Sequence, residues 1–181
     1  MKLQTNRHFR VLLRGPLVVI FMGVAGSGKT TVGRLFARAT SAVFYEGDDY
    51  HSAKSVEKMR RGVPLTDADR AEWLAALRQI IERSLAAGQF AVMTCSALKS
   101  RYRDQLRGGD ERVRFVYLTA PRAVLEERLR ARRGHFLAPS LLASQLEIFE
   151  PPEEALTFGG EKSPDEIVAD LVRVLGGVEA G

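Results

Sequence analysis

Gly23, Gly28, Lys29 and Thr30 follow the spacing G-x-x-x-x-G-K-[ST], and Gly26 places a third glycine inside the loop. Glycines let successive backbone N–H groups turn toward one anion, and a helix starting at Lys29 would add the partial positive charge of its N-terminus. In that arrangement the Lys29 ammonium reaches the β- and γ-phosphates of ATP and the Thr30 hydroxyl ligates Mg²⁺. Ala25, Ser27 and Thr31 complete the expected phosphate cradle. The loop leaves open whether the γ-phosphoryl group passes to water, to a protein or to a metabolite.

Other residues narrow that choice. Guanine-reading switches use an Asn-Lys-x-Asp segment, whereas the only asparagine here is Asn6, ahead of the loop. Motor and transporter ATPases end a buried strand in Asp, often followed by Glu; neither apolar run, Phe90–Cys95 nor Val113–Leu118, ends that way. An acidic group instead follows Val43–Tyr45, as Glu46-Gly47-Asp48-Asp49, before Tyr50 and His51. The carboxyl end of such a strand faces the phosphate loop across the sheet crevice, where a carboxylate can orient an acceptor hydroxyl and take its proton. Asp48 is the expected base; the competing reading is an acidic turn that caps the next helix.

Cations supply the remaining chemistry. Arginine-rich sequence from Arg128 toward Pro139 reads as a lid over about 130–140, whose arginines would neutralise the transferring phosphoryl group and exclude water. Lys99 and Arg103 stand four apart on a predicted helix face, so both could reach one anion, or both could belong to a solvated basic face. Cys95 and Trp73 are expected in the core rather than in the chemistry.

Positioning these groups takes alternating strands and helices. Leu17–Met22 is a short apolar, β-branched run that ends in the glycines, and Lys29–Thr40 continues at helical spacing through Val32, Leu35, Phe36 and Ala39. Further strands are predicted at Val43–Tyr45, Phe90–Cys95, Val113–Leu118 and Ala155–Phe158. Helices are predicted at 55–61, 68–87, 122–132, 139–149 and 164–175, together with a helical segment after Phe90–Cys95. The alternation implies an α/β fold with a parallel sheet covered on both faces. Residues 1–15 read as a loose leader and 16–181 as one domain, with no repeat or linker to divide it.

At 181 residues, 45% hydrophobic and 27% charged, the chain has a globular composition, which disfavours disordered and fibrous classes. The apolar run after the basic leader is too short to span a membrane and runs straight into the glycine loop, which argues against a targeting segment. A single cysteine excludes an internal disulfide and suggests a reducing compartment, the cytoplasm. The net charge of +5 comes without a nucleic-acid module, so anionic small molecules are the expected partners and nucleic acid or membrane is not.

Read together, GVAGSGKTTVG (23–33), GDDYH (47–51), EKMRRGVPLTDADRAEWL (57–74), CSALKSRYRD (95–104), RLRARRGHF (128–136) and QLEIFEPP (145–152) resemble the P-loop gluconokinase family. The resemblance implies a P-loop NTPase fold of three α/β/α layers, with a five-stranded parallel sheet and an arginine-rich lid, like nucleoside monophosphate and shikimate kinases. It implies ATP-dependent phosphorylation of D-gluconate at its 6-hydroxyl, in a homodimer. By the same resemblance, Asp48 and His51 face the acceptor, and Lys58, Arg70, Lys99, Arg103 and His135 are candidates to grip its carboxylate or hydroxyls. Arg128 and Arg132 would serve the nucleotide, Arg132 catalytically beside Lys29 and Asp48. Two alternatives stay open: a kinase for another small acceptor, such as shikimate, a nucleoside monophosphate, adenylyl sulfate or a related sugar acid, and an idle nucleotide-binding module.

Overall fold

The computed structural model describes residues 16–131 and 141–176; the leader, Arg132, His135 and most of the expected lid lie outside the described residues. Strands β1 (Leu17–Met22), β2 (Val43–Glu46), β3 (Phe90–Thr94), β4 (Val113–Leu118) and β5 (Ala155–Phe158) form one parallel sheet in the order β2-β3-β1-β4-β5. Central β1 is flanked by β3 and β4, in register from Leu17 opposite Phe90 and Val18 opposite Val113. Because both its faces are covered, it is apolar at every position instead of alternating.

One face of the sheet carries α3 (Asp67–Ala86) and α4 (Ser100–Arg107), where Trp73, Leu74, Leu77 and Ile81 pack on Val18, Ile20, Met22 and Met93. The other face carries α1 (Lys29–Thr40) and α7 (Pro164–Gly176), where Val32, Phe36, Ile167 and Leu171 pack on Val19, Phe21 and Val92. The remaining described helices, α2 (Ala53–Arg60), α5 (Arg122–Ala131) and α6 (Leu141–Glu147), gather at the carboxyl end of the sheet around the glycine loop. Two helices start at side-chain caps: Ser52 Oγ accepts from Ser55 N at the start of α2, and Thr66 and Asp69 close a reciprocal capping box on α3.

The elements lie close to their predicted spans. Strand β2 runs on through Glu46 and β3 ends at Thr94, because past Thr94 the chain turns through Ala97 at φ 44° and leaves the ladder. Leu77 has no exposed surface, and Leu77→Ala should cost about 2–5 kcal/mol through lost burial and the cavity left behind. A urea midpoint shift at unchanged slope would measure it.

Candidate active site

Gly23, Gly26 and Gly28 have φ of 136°, 83° and 101°, a region that L side chains rarely adopt. At Gly23 a Cβ would also sit 2.4 Å from the Leu118 carbonyl oxygen, so the loop can leave β1 only as glycine. Val24 and Ala25 pack among Leu98, Leu125, Leu129 and Leu142, which seats the loop against α5 and α6. Two polar contacts tighten this seat: Arg128 donates to the Gly26 carbonyl (3.3 Å) and Ala25 N donates to Gln145 Oε1 (2.7 Å). Lys29 Nζ folds back to donate to the Val24 carbonyl at 3.0 Å. Ser27 Oγ is buried with no hydrogen-bond partner among the described residues. Left-handed glycines, an orphaned hydroxyl and a lysine at a helix N-terminus fit a group that brings its own acceptor oxygens, as a triphosphate does.

Opposite the loop, β2 leads into a short 3₁₀ turn, Gly47–Tyr50, which carries Asp48. Gly47 is stitched on both sides: its N–H donates to Thr94 Oγ1 (3.1 Å) and its carbonyl accepts from Trp73 Nε1 (2.7 Å). The His51 ring then stacks on Trp73, with centroids 4.2 Å apart and planes at 16°. Trp73 is core, as its helical spacing suggests, but its indole N–H also holds the turn that presents Asp48. His51 Nε2 lies 3.9 Å from Asp48 Oδ1, and its Nδ1 is buried without a hydrogen bond.

Burial, reinforced by the nearby Arg70 charge, lowers the His51 pKa to about 4, so the ring is neutral at working pH. The unfolded chain binds that proton near pH 6.5, so the native state should be favoured above pH 6.5 and lose up to about 3 kcal/mol as pH falls toward 4. His51→Gln should flatten this segment of a stability profile taken from pH 7 to about 4.5.

Lys29, Asp48, His51 and Arg70 line one cavity of about 40 Å³ together with Ala25, Ser96 and Gln145. Arg70 is buried, and one of its guanidinium nitrogens donates to the Leu65 carbonyl. The space holds about three water molecules, far less than a sugar acid needs. Admitting an acceptor of that size would require the lining to open, and Met59 and Leu65 belong to it and cluster with Leu141. A second cavity, about 370 Å³, opens beside Gly26, Gly28 and Thr31 and is bounded by Arg128, Phe158 and Lys162. Its size and its contact with the loop suit the nucleoside part of a nucleotide. Phe158 and Lys162 carried no recognisable motif; their place at and just past the end of the last strand is their only signal.

Three expected substrate cations are engaged elsewhere. Lys58 pairs with Asp69 (2.7 Å) and Lys99 with Asp67 (3.0 Å), at the start of α3. Asp67 also accepts from Arg101 and Tyr102, and these donors, led by the Tyr102 hydroxyl, hold its carboxyl far below the ordinary range. Arg103 is buried and donates to the carbonyls of Ala97 (3.1 Å), Leu98 (3.3 Å), Glu150 (3.0 Å) and Pro151 (3.5 Å). It ties α4 to the flanking loops. Lys99 is the N-cap of α4, and although Arg103 N donates to its carbonyl (3.3 Å), the two side chains turn to different partners, Lys99 to Asp67 and Arg103 to the carbonyls.

Cys95 is buried, which pushes its thiol up to about 12 and makes it inert, as its sequence context suggests. Among the described residues no group of three or more His, Cys, Asp or Glu could hold a metal, and no helix is long and apolar enough to cross a membrane.

Comparison with known proteins agrees with this geometry. Residues 18–152 match the family model described as an AAA domain. The chain is 46% identical over 161 residues to the gluconokinase of Gluconobacter oxydans (strain 621H), covering 87% of this chain and 90% of the relative. It is 38% identical over 163 residues to the thermoresistant gluconokinase of Escherichia coli K12, covering 90% and 89%. Among solved structures, a gluconokinase from Sinorhizobium meliloti 1021 superposes with a TM-score of 0.77 at 40% identity, covering 88% of this chain and 91% of that one. The APS kinase CysC of Mycobacterium tuberculosis shares the fold alone, with a TM-score of 0.67 at 20% identity, covering 89% and 98%.

Proposed function

Because this chain belongs to the gluconokinase family, we propose that it transfers the γ-phosphoryl group of ATP to the 6-hydroxyl of D-gluconate, giving 6-phospho-D-gluconate. The observation that carries the reading within the molecule is the single cavity shared by Lys29, Asp48, His51 and Arg70. It joins the donor loop to a carboxylate and to a buried cation, the two groups that the hydroxyl and the carboxylate of a sugar acid would meet.

In the proposed reaction the loop amides from Gly23 to Thr31 hold the phosphates, and the Lys29 ammonium exchanges the Val24 carbonyl for phosphate oxygens. Asp48 accepts the proton of the 6-hydroxyl as its oxygen attacks phosphorus, and ADP leaves. Arg70 is the best-placed partner for the gluconate carboxylate, since Lys58 and Lys99 pair with Asp69 and Asp67 and Arg103 is spent on carbonyls. Neutral His51 suits a hydroxyl, because it can donate or accept without opposing the charge on Arg70. Mg²⁺, when bound with the nucleotide, would sit at the Thr30 hydroxyl and neutralise charge on the phosphates. Arg128 already meets the loop at Gly26, and Arg132 and His135 are proposed to reach the site from the lid.

A coupled ADP-release assay with ATP and Mg²⁺ tests the reading across gluconate, other aldonic acids, shikimate and nucleoside monophosphates. Turnover should be fastest on gluconate. Turnover of shikimate or a nucleotide with none on gluconate would overturn it.

A further inference from the structure

The QLEIFEPP segment begins with a residue that touches both halves of the site. We propose that Gln145 is an acceptor-specificity residue: Oε1 holds the phosphate loop at Ala25 while Nε2 donates to one hydroxyl of the phosphoryl acceptor. The inference rests on the sugar-acid kinase reading above and deepens it.

Ala25 N can only donate, so the atom 2.7 Å away on Gln145 is its oxygen, and this sets which way the amide faces. The same side chain lines the cavity shared by Lys29, Asp48, His51 and Arg70, the space the acceptor must fill. Its backbone is held firmly. Leu142 packs with Val24 and Ala25 of the donor loop, whereas Leu141 packs with Met59 and Leu65, which line the same cavity as Gln145. Gln145 follows Leu141 by four residues and so shares its helix face.

The residue type suits the position. A lysine or arginine there would pair with Asp48 and quench the base, and a carboxylate would repel the phosphates. An amide donates without adding charge. An acceptor that lacks the matching hydroxyl would leave Nε2 unpaired in a closed site, and such losses discriminate strongly between substrates.

The experiment is a kcat/KM series for wild type, Gln145→Met and Gln145→Glu on gluconate and its monodeoxy analogues. Methionine matches the shape but removes both hydrogen bonds, whereas glutamate keeps an acceptor for Ala25 N and removes the donor. Wild type should lose at least roughly tenfold on one deoxy analogue beyond its losses on the others. Both variants should lose about that much on gluconate and be indifferent to deoxygenation at that same position, while the KM for ATP rises in both, through the lost Ala25 contact in Gln145→Met and through repulsion of the phosphates in Gln145→Glu. Undiminished sensitivity to every hydroxyl in both variants would overturn the proposal, as would wild-type acceptor kinetics in Gln145→Glu. If wild type does not phosphorylate gluconate, the gluconate reading fails by itself, and the same series on the acceptor that is turned over still decides the role of Gln145.

Discussion

Replacing Lys29 with methionine is expected to lower kcat/KM for phosphoryl transfer by about 10³-fold, roughly 4 kcal/mol of transition-state stabilisation, without unfolding the protein. Phosphoryl transfer leaves a protein little covalent work, so catalysis is positioning and charge compensation, and Lys29 is the loop's own cation. In the structure its Nζ donates to the Val24 carbonyl, one residue beyond Gly23, so the charge is already poised over the cradle when nucleotide arrives. Methionine keeps the stem and removes the charge. The melting temperature should therefore stay within a few degrees of wild type while single-turnover rates collapse. A variant that turns over within tenfold of wild type would show that the lysine is not the γ-phosphate contact.

Asp48→Asn is expected to reduce kcat by about 10²–10⁴-fold and to leave nucleotide binding unchanged. The amide is isosteric but cannot take the acceptor's proton. The competing explanation for this carboxylate, a helix cap, predicts a loss of stability in place of a loss of rate. The structure weighs against capping: Ser52 caps α2, and the turn that carries Asp48 shows no side-chain cap. Titration calorimetry with a non-hydrolysable ATP analogue, beside steady-state kinetics on gluconate, separates the two. Unchanged kcat would remove Asp48 as the base. Trp73 makes the result readable, because its hydrogen bond to the Gly47 carbonyl and its stack on His51 hold the turn whatever occupies position 48.

Donor chemistry was legible in the chain because it is local. Gly23 to Thr30 are consecutive, their glycines answer to backbone geometry that no neighbour can replace, and the strand before and helix after follow from periodicity over a few residues. Asp48 was legible for a similar reason, as it lies just past a strand whose carboxyl end must face the loop. The order of the sheet was not. Nothing in Val43–Glu46 or Phe90–Thr94 says that β3 inserts between β1 and β2, yet this insertion brings Thr94 against Gly47 and fixes the Asp48 turn.

Acceptor chemistry divides along the same line. The family resemblance marked Lys58, Arg70, Lys99 and Arg103 as equals, since a cation's partner is chosen by whatever packs beside it and not by its neighbours in sequence. Only tertiary structure set Lys58 against Asp69, Lys99 against Asp67 and Arg103 into a nest of carbonyls, leaving Arg70 in the cavity with Asp48 and His51. Only tertiary structure brought Gln145 across 120 residues to Ala25. The sequence by itself determined the phosphate loop, the strand-and-helix alternation and the place of the acidic turn after β2, because short-range sterics and periodicity specify them. Which cation shares a cavity with Asp48, and which contacts join the loop to α6, were decided by packing, because burial and long-range hydrogen bonds exist only once the chain is folded.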